Sequence, residues 1–128
     1  KLPDIALEQF RGYGSTAGRK PFTIDLLCKS DFTTPSRVIL SWSDTENGHR
    51  SIIGVLKNIH PKGAAGIGIQ VLDQQQQPVK FNTPSYINLA PQDKGNHSIP
   101  FYAQYYQTAN NVSPGIVRSV LYFNAEYQ

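Results

Sequence analysis

The chain has 128 residues, of which 39% are hydrophobic and 16% charged, and it carries a formal charge of +3. That is enough chain for one domain around one core and too little for two, while seven Tyr and six Phe supply buried area that argues against disorder. The Lys and Arg residues are scattered rather than gathered into the basic run of a nucleic-acid-binding surface, and no stretch approaches the roughly 20 apolar residues of a membrane helix.

Lys1-Leu2-Pro3-Asp4 is not the start of a signal peptide, and Met is absent, so the sequence reads as a mature form or a fragment. Nearly every later segment alternates with period two, the signature of half-buried strands. "PFTIDLLC" places Phe22, Ile24, Leu26 and Cys28 on one face. Cys28 is the single cysteine: either a buried free thiol or half of a disulfide whose partner precedes Lys1. "RVILSWS" sets Val38, Leu40 and Trp42 on one side. In "SIIGVLKNI", Ile52, Leu56 and Ile59 have helical spacing, but Gly54 and the β-branched residues oppose a helix and leave a strand or a single turn. "GIGIQVLD" turns Ile67, Ile69 and Val71 inward and small residues outward; Gln74 to Gln77 form a hairpin loop, and "PVKF" is a short strand after it. "HSIPFYAQYYQ" aligns Ile99, Phe101, Ala103 and Tyr105. The last strand, Pro114 to Gln128, alternates Val117, Leu121, Phe123, Ala125 and Tyr127, with Ser119 among them. Turn signals at Gly12 to Gly18, Asn47-Gly48, Pro61-Lys62-Gly63, Pro91 to Gly95 and Ser113-Pro114-Gly115 separate these segments. Short strands at regular spacing predict an all-β sandwich.

Catalytic and metal chemistry find little footing. His49, His60 and His97 are too far apart for helical metal spacing, and one cysteine makes no thiolate cluster. Gly66 and Gly68 begin a dinucleotide fingerprint that Val71 breaks, with no helix after it. Asp44 and Glu46 flank the Asn47-Gly48 turn as a solvated pair, and no His is placed beside Cys28 to activate it. The expectation is no enzyme, no metal and no cofactor. Asn96-His97-Ser98 and Asn111-Val112-Ser113 match the short glycosylation pattern, which matters only in a eukaryotic secretor. Tyr102, Tyr106 and Tyr122 face away from the core set and offer a surface for a carbohydrate-binding module, the alternative function. The last strand reads equally as the border of a complete sandwich or as one wall of an open groove.

The order of four stretches resembles the subunits of chaperone–usher pili of the type 1 and P kind. "KPFTIDLLC" is similar to the pilin strand that carries the second cysteine, "AGIGIQVLDQQQQPVKF" to the pilin hairpin, and "IPFYAQYYQTANNVSPG" to the strand and loop before the last strand. "GIVRSVLYFNAEYQ" resembles the family's C-terminal strand, which has a glycine fourteenth from the end and a penultimate aromatic; here these are Gly115 (128 − 115 + 1 = 14) and Tyr127. The likeness covers residues 20 to 128, and "KLPDIALEQF" is a plausible strand before it.

The resemblance implies a single pilin-like domain over 1–128, an incomplete immunoglobulin-like sandwich that lacks its last strand and is completed by a donor strand from another polypeptide. It implies a periplasmic chaperone, an outer-membrane usher and neighbouring pilus subunits as partners, and an extracellular pilus as the final location after transit through the periplasm. By position, Val117, Leu121, Phe123, Ala125 and Tyr127 would wall the groove, Gly115 would shape its start, and Gln128 would present the terminal carboxylate to the chaperone. Cys28 would be half of a bridge whose partner lies outside this sequence. The family's first strand, with its cysteine, and its N-terminal extension have no counterpart in 1–128, which fits a fragment, an omitted segment or a divergent member without the bridge. Rod subunit, tip subunit and the pilin half of a tip adhesin all remain open; an adhesin would reach a host glycan through an upstream domain.

Overall fold

Alternating apolar side chains lay two sheets face to face in this protein. The computed structural model describes residues 4, 6–28, 36–43, 52–61, 63–81, 83–89, 95–119 and 121–127, with the backbone alone at 26–28, 36, 37, 43, 89, 95–97, 122, 126 and 127. After a 3-10 turn at Leu7–Gln9, the described strands are β1 (Thr16–Cys28), β2 (Ser36–Ser43), β3 (Val55–Leu56), β4 (Ile67–Leu72), β5 (Ser85–Leu89), β6 (Gly95–Gln107) and β7 (Tyr122–Tyr127). They form one sheet in the order β1-β6-β4-β3 and a second in the order β5-β2-β7, and every pairing within them is antiparallel. The expected all-β sandwich is therefore present. No helix among the described residues is long and apolar enough to cross a membrane.

The first sheet is built on β6. Its long ladder with β1 runs from the pair Thr16 and Tyr106 to the pair Cys28 and Gly95, with a register shift between Ala17 and Lys20 that marks a bulge. On its other edge β6 pairs with β4, from Ile67 opposite Gln107 to Leu72 opposite Tyr102. In the second sheet β2 is central, flanked by β5 and β7. The inward sides of the two sheets meet in a core of Ile24, Val38, Leu40, Trp42, Leu56, Val71, Val79, Ile99 and Phe101. Trp42 organises it. Its ring lies edge-on to Phe101 at 5.7 Å and to Phe81 at 6.1 Å, and its indole Nε1 donates to Ser85 Oγ at 3.3 Å.

One expectation is met in both its forms and four need correction. Residues 52–54 turn and lead into β3, so the described part of "SIIGVLKNI" is a turn followed by a two-residue strand. That turn lies over β4, where Val71 N donates to Gly54 O at 2.8 Å and Gln70 Nε2 to Ile53 O at 3.2 Å. Gly68 and Gln70 are consequently buried rather than outward-facing in solvent. "PVKF" is not a strand: Pro78 makes an isolated bridge to Leu72, and Val79 N donates to Val71 O at 2.9 Å. A proline nitrogen has no hydrogen to extend a ladder, which limits the pairing there. The described residues of "KLPDIALEQF", 4 and 6–10, hold the 3-10 turn at Leu7–Gln9 and no strand. The chain from Pro114 to Gln128 divides, and only Tyr122–Tyr127 joins a sheet. One strand, β5, has no counterpart among the segments read from the sequence.

Candidate functional site: an apolar cleft beside the last strand

β7 pairs with β2 along one edge, from Ser43 opposite Tyr122 to Val38 opposite Tyr127. Its other edge has no strand partner among the described residues. β1 borders the other sheet in the same way. A cleft of about 840 Å³ opens in the sandwich beside these borders. One side is the inward face of the first sheet, with Ile24 from β1, Ala103 and Tyr105 from β6, and Ile69 and Val71 from β4. The other side is the chain from Ser113 to Ser119, with Leu121 and Phe123. Asp4, Leu7 and Phe10 also line it. The lining is mostly apolar because strands that face a core alternate apolar side chains inward, and here part of that inward set has no cover.

The uncovered area is visible ring by ring. Phe22 stacks on Phe101 at 5.8 Å yet is 38% exposed, and Phe123 lies edge-on to Trp42 at 6.3 Å yet is 40% exposed. Burying what remains of each ring is worth on the order of 1 kcal/mol. Polar groups are sparse: Lys20, Arg118 and Asp4 among the charged, and Tyr105 deeper in. Burial, with a smaller contribution from the negative charge of Asp4, raises the Tyr105 phenol above its ordinary pKa.

The chain before β7 is shaped by close backbone contact. Ala64 N donates to Ile116 O at 3.0 Å, Ile59 N to Arg118 O at 2.8 Å and Ser113 N to Ala65 O at 3.2 Å. Gly63 and Ile116 form a parallel bridge. Gly115 has φ +150°, and a Cβ there would sit 2.6 Å from Ala64 N. Only glycine meets both demands at once.

The residues predicted for a groove wall divide as follows. Gly115, Val117, Leu121 and Phe123 line the cleft. Ala125 is exposed on β7 opposite Leu40 and lies beyond the lining, which ends at Phe123. Tyr127 has its backbone in β7, paired with Val38, but its side chain is outside the described atoms, and Gln128 is outside the described residues. Cys28 ends β1 opposite Gly95, with its side chain likewise outside the description. Sequence reading missed Ile116, Arg118, Lys20, Pro21, Leu7 and Phe10 as lining residues; the three-residue spacing of Leu7 and Phe10 was the one available signal for the N-terminal contribution.

Other candidates fall elsewhere. Tyr102 and Tyr106 are half-buried, with Tyr13 edge-on to Tyr106 at 6.4 Å; the Tyr122 side chain is outside the description. Asp44, Glu46 and His49 lie outside the described residues, and His97 is described by its backbone alone. Among the described residues no group of His, Cys, Asp and Glu could hold a metal ion.

Fold and cleft together define a class: an all-β domain in which a strand edge and an apolar cleft lie side by side. The chain belongs to the fimbrial protein family, whose family model, described as fimbrial protein, matches residues 1–128. The fimbrial-like protein YdeS of Escherichia coli (strain K12) is 34% identical over 132 residues, a stretch that takes in 99% of this chain and 72% of that protein. The S-fimbrial protein subunit SfaG of Escherichia coli is 32% identical across 94% of this chain and 65% of its own length. A fimbria adhesin protein of Klebsiella pneumoniae is 33% identical across 96% of this chain but only 40% of its own length. The chain thus spans less than two thirds of the latter two. Among solved structures, the CupB6 tip adhesin of Pseudomonas aeruginosa matches with a TM-score of 0.72 at 22% identity, over 97% of this chain and 34% of that one. An antigen and type I fimbria protein of Burkholderia pseudomallei matches with a TM-score of 0.64 at 21% identity, over 98% of this chain and 81% of that one. At such identity the likeness is one of fold.

Proposed function

We propose that this chain is a structural subunit of a bacterial chaperone–usher pilus and that its cleft receives an extended strand from another polypeptide. A periplasmic chaperone supplies that strand first, and a neighbouring subunit replaces it once the outer-membrane usher has brought the two together. The finished location is the extracellular pilus. Main-chain hydrogen bonds along the free edge of β7 give the incoming strand its affinity, and alternate side chains entering the cleft fix its register. Gly115, Val117, Leu121 and Phe123 form the wall beside it, and Ala125 and Tyr127 continue the edge of β7 along which it pairs.

The observation that carries this reading is the apolar cleft of about 840 Å³ beside the edge of β7 that is unpaired among the described residues, with the Phe123 ring left 40% exposed. Bare apolar edges invite aggregation, so a protein that displays one has a use for covering it. The test is thermal unfolding of the chain with a synthetic peptide of about ten residues that alternates Val and Thr, the length of a long strand. Saturating peptide should raise the melting temperature by on the order of 10 °C. A scrambled peptide of equal composition should leave it unchanged. A sharp transition that the alternating peptide does not move at any concentration would overturn the reading.

A further inference from the structure

We infer that Asn58 is a positioning residue for the cleft, holding the wall at Ile116 to Arg118 in place before any strand arrives; the assignment rests on the donor-strand reading. Asn58 does not line the cleft. It acts from behind, through the backbone of the wall.

The geometry is a fully used side-chain amide. Nδ2 donates to Ile116 O at 2.9 Å and to Ala64 O at 3.0 Å. Oδ1 accepts from Arg118 N at 2.9 Å and from His60 N at 3.1 Å. An amide side chain has two donor hydrogens and two acceptor lone pairs, so every one of its bonds is made. Two go to the wall and two to the loop that returns toward β4. Asn58 follows β3 by two residues, and β3 belongs to the first sheet. The side chain therefore ties the chain that enters β7, in the second sheet, to the border of the first. Gly63 fits this arrangement: a Cβ there would collide with the Asn58 amide and with Ile116 O.

Ile116 and Arg118 alternate with Val117 and Ser119, and all four border the cleft. Their backbone has no ladder with β2, since that pairing begins at Tyr122. What keeps this half of the wall in place is the Asn58 amide, the backbone bonds from Ile59 and Ala64, and a bond at its far end from Ser119 Oγ to Lys57 O. β7 itself is held by β2. The cleft thus has one part fixed by a sheet and one part fixed by the segment after β3, where Asn58 alone bonds to the wall at both Ile116 and Arg118.

The experiment compares wild type with Asn58→Ala using three alternating Val/Thr peptides: full length, shortened by one pair at the N-terminal end, and shortened by one pair at the C-terminal end. Asn58→Ala should bind the full peptide about tenfold more weakly, the loss of one or two net hydrogen bonds of order. It should bind one of the two shortened peptides as well as wild type does, namely the one lacking the pair that lies against residues 116–118. Equal weakening for all three peptides would mean a merely structural role and would overturn the assignment, as would no weakening for any. A second measurement needs no variant: in free wild type, the amide hydrogens of Arg118 and Ala64 should exchange slowly, and rapid exchange would overturn a preset wall. Failure of wild type to bind any of the peptides while those amides stay protected would instead sink the donor-strand reading, and the assignment of Asn58 with it.

Discussion

Two phenylalanines show how differently the two sheets are finished. Phe101 stands on β6, which has a neighbour on both edges, and it is 1% exposed; Phe123 stands on β7, which has a neighbour on one edge, and it is 40% exposed. Both touch Trp42 edge-on, at 5.7 and 6.3 Å. Position within the core does not separate them, since they share the same central ring. What separates them is whether another strand passes beside their own. Among the described residues β6 is paired on both edges and β7 on one, and the boundary between the two conditions runs through the contacts of one tryptophan.

Substitution at these two rings should break the comparison in opposite ways. Phe101→Ala removes a fully covered ring and should cost about 3–5 kcal/mol, read as a lower urea midpoint with an unchanged slope. Phe123→Glu should lower the stability of the free chain by only about 1 kcal/mol, since much of that ring already meets water. The same change should abolish binding of the alternating peptide, because strand capture would bury an unpaired carboxylate at a cost of several kcal/mol. Tight peptide binding by that variant, measured by titration, would remove Phe123 from the wall. Gly115→Ala should cost about 1–3 kcal/mol in thermal unfolding, because its φ and the Ala64 backbone both exclude a Cβ. The smallest expected effect is at Tyr105. Its phenol pKa is raised in the folded chain, so the folded state holds its proton longer than the unfolded state. The stability that follows is present below about pH 10 and lost as pH rises through the folded value. A pH series of melts should show that decline for wild type and a weaker one for Tyr105→Phe.

The period-two pattern made the faces legible. Val38, Leu40 and Trp42, and Ile99 with Phe101, are buried where alternation placed them, because a strand leaves side chains no other choice than one face or the other. Phe123, on β7, reaches the cleft for the same reason, whereas Val117 and Leu121 reach it from outside a strand, Val117 in a run where residues 116 to 119 all line the cleft. Alternation says nothing about what lies over a face, so the cover that the turn at residues 52–54 gives Gln70 was not legible. Nor could it show where pairing stops. The chain from Pro114 onward alternates throughout, yet its first half is bonded to the loop around Ala64 and only its second half to β2. β5 escaped notice because Tyr86 and Asn88 are exposed and Ile87 is its one described apolar contact with the core. The Asn58 bonds leave no periodic trace at all, since they join a side chain to backbone some sixty positions away.

The connectivity of the first sheet also sets an order of events. β1 finds its partner in β6, so Thr16 waits for Tyr106 and Cys28 for Gly95. Closing so long a loop precedes any reward from the contacts it allows, and topologies of this kind fold slowly. The nearby segments of β3 and β4 can meet first, while β1 waits for a partner far along the chain. The longest ladder therefore forms late among the contacts of the first sheet, and until it does apolar strand edges stand bare. Any protein that escorts this chain has its chance to act in that delay, set by the wiring of the strands.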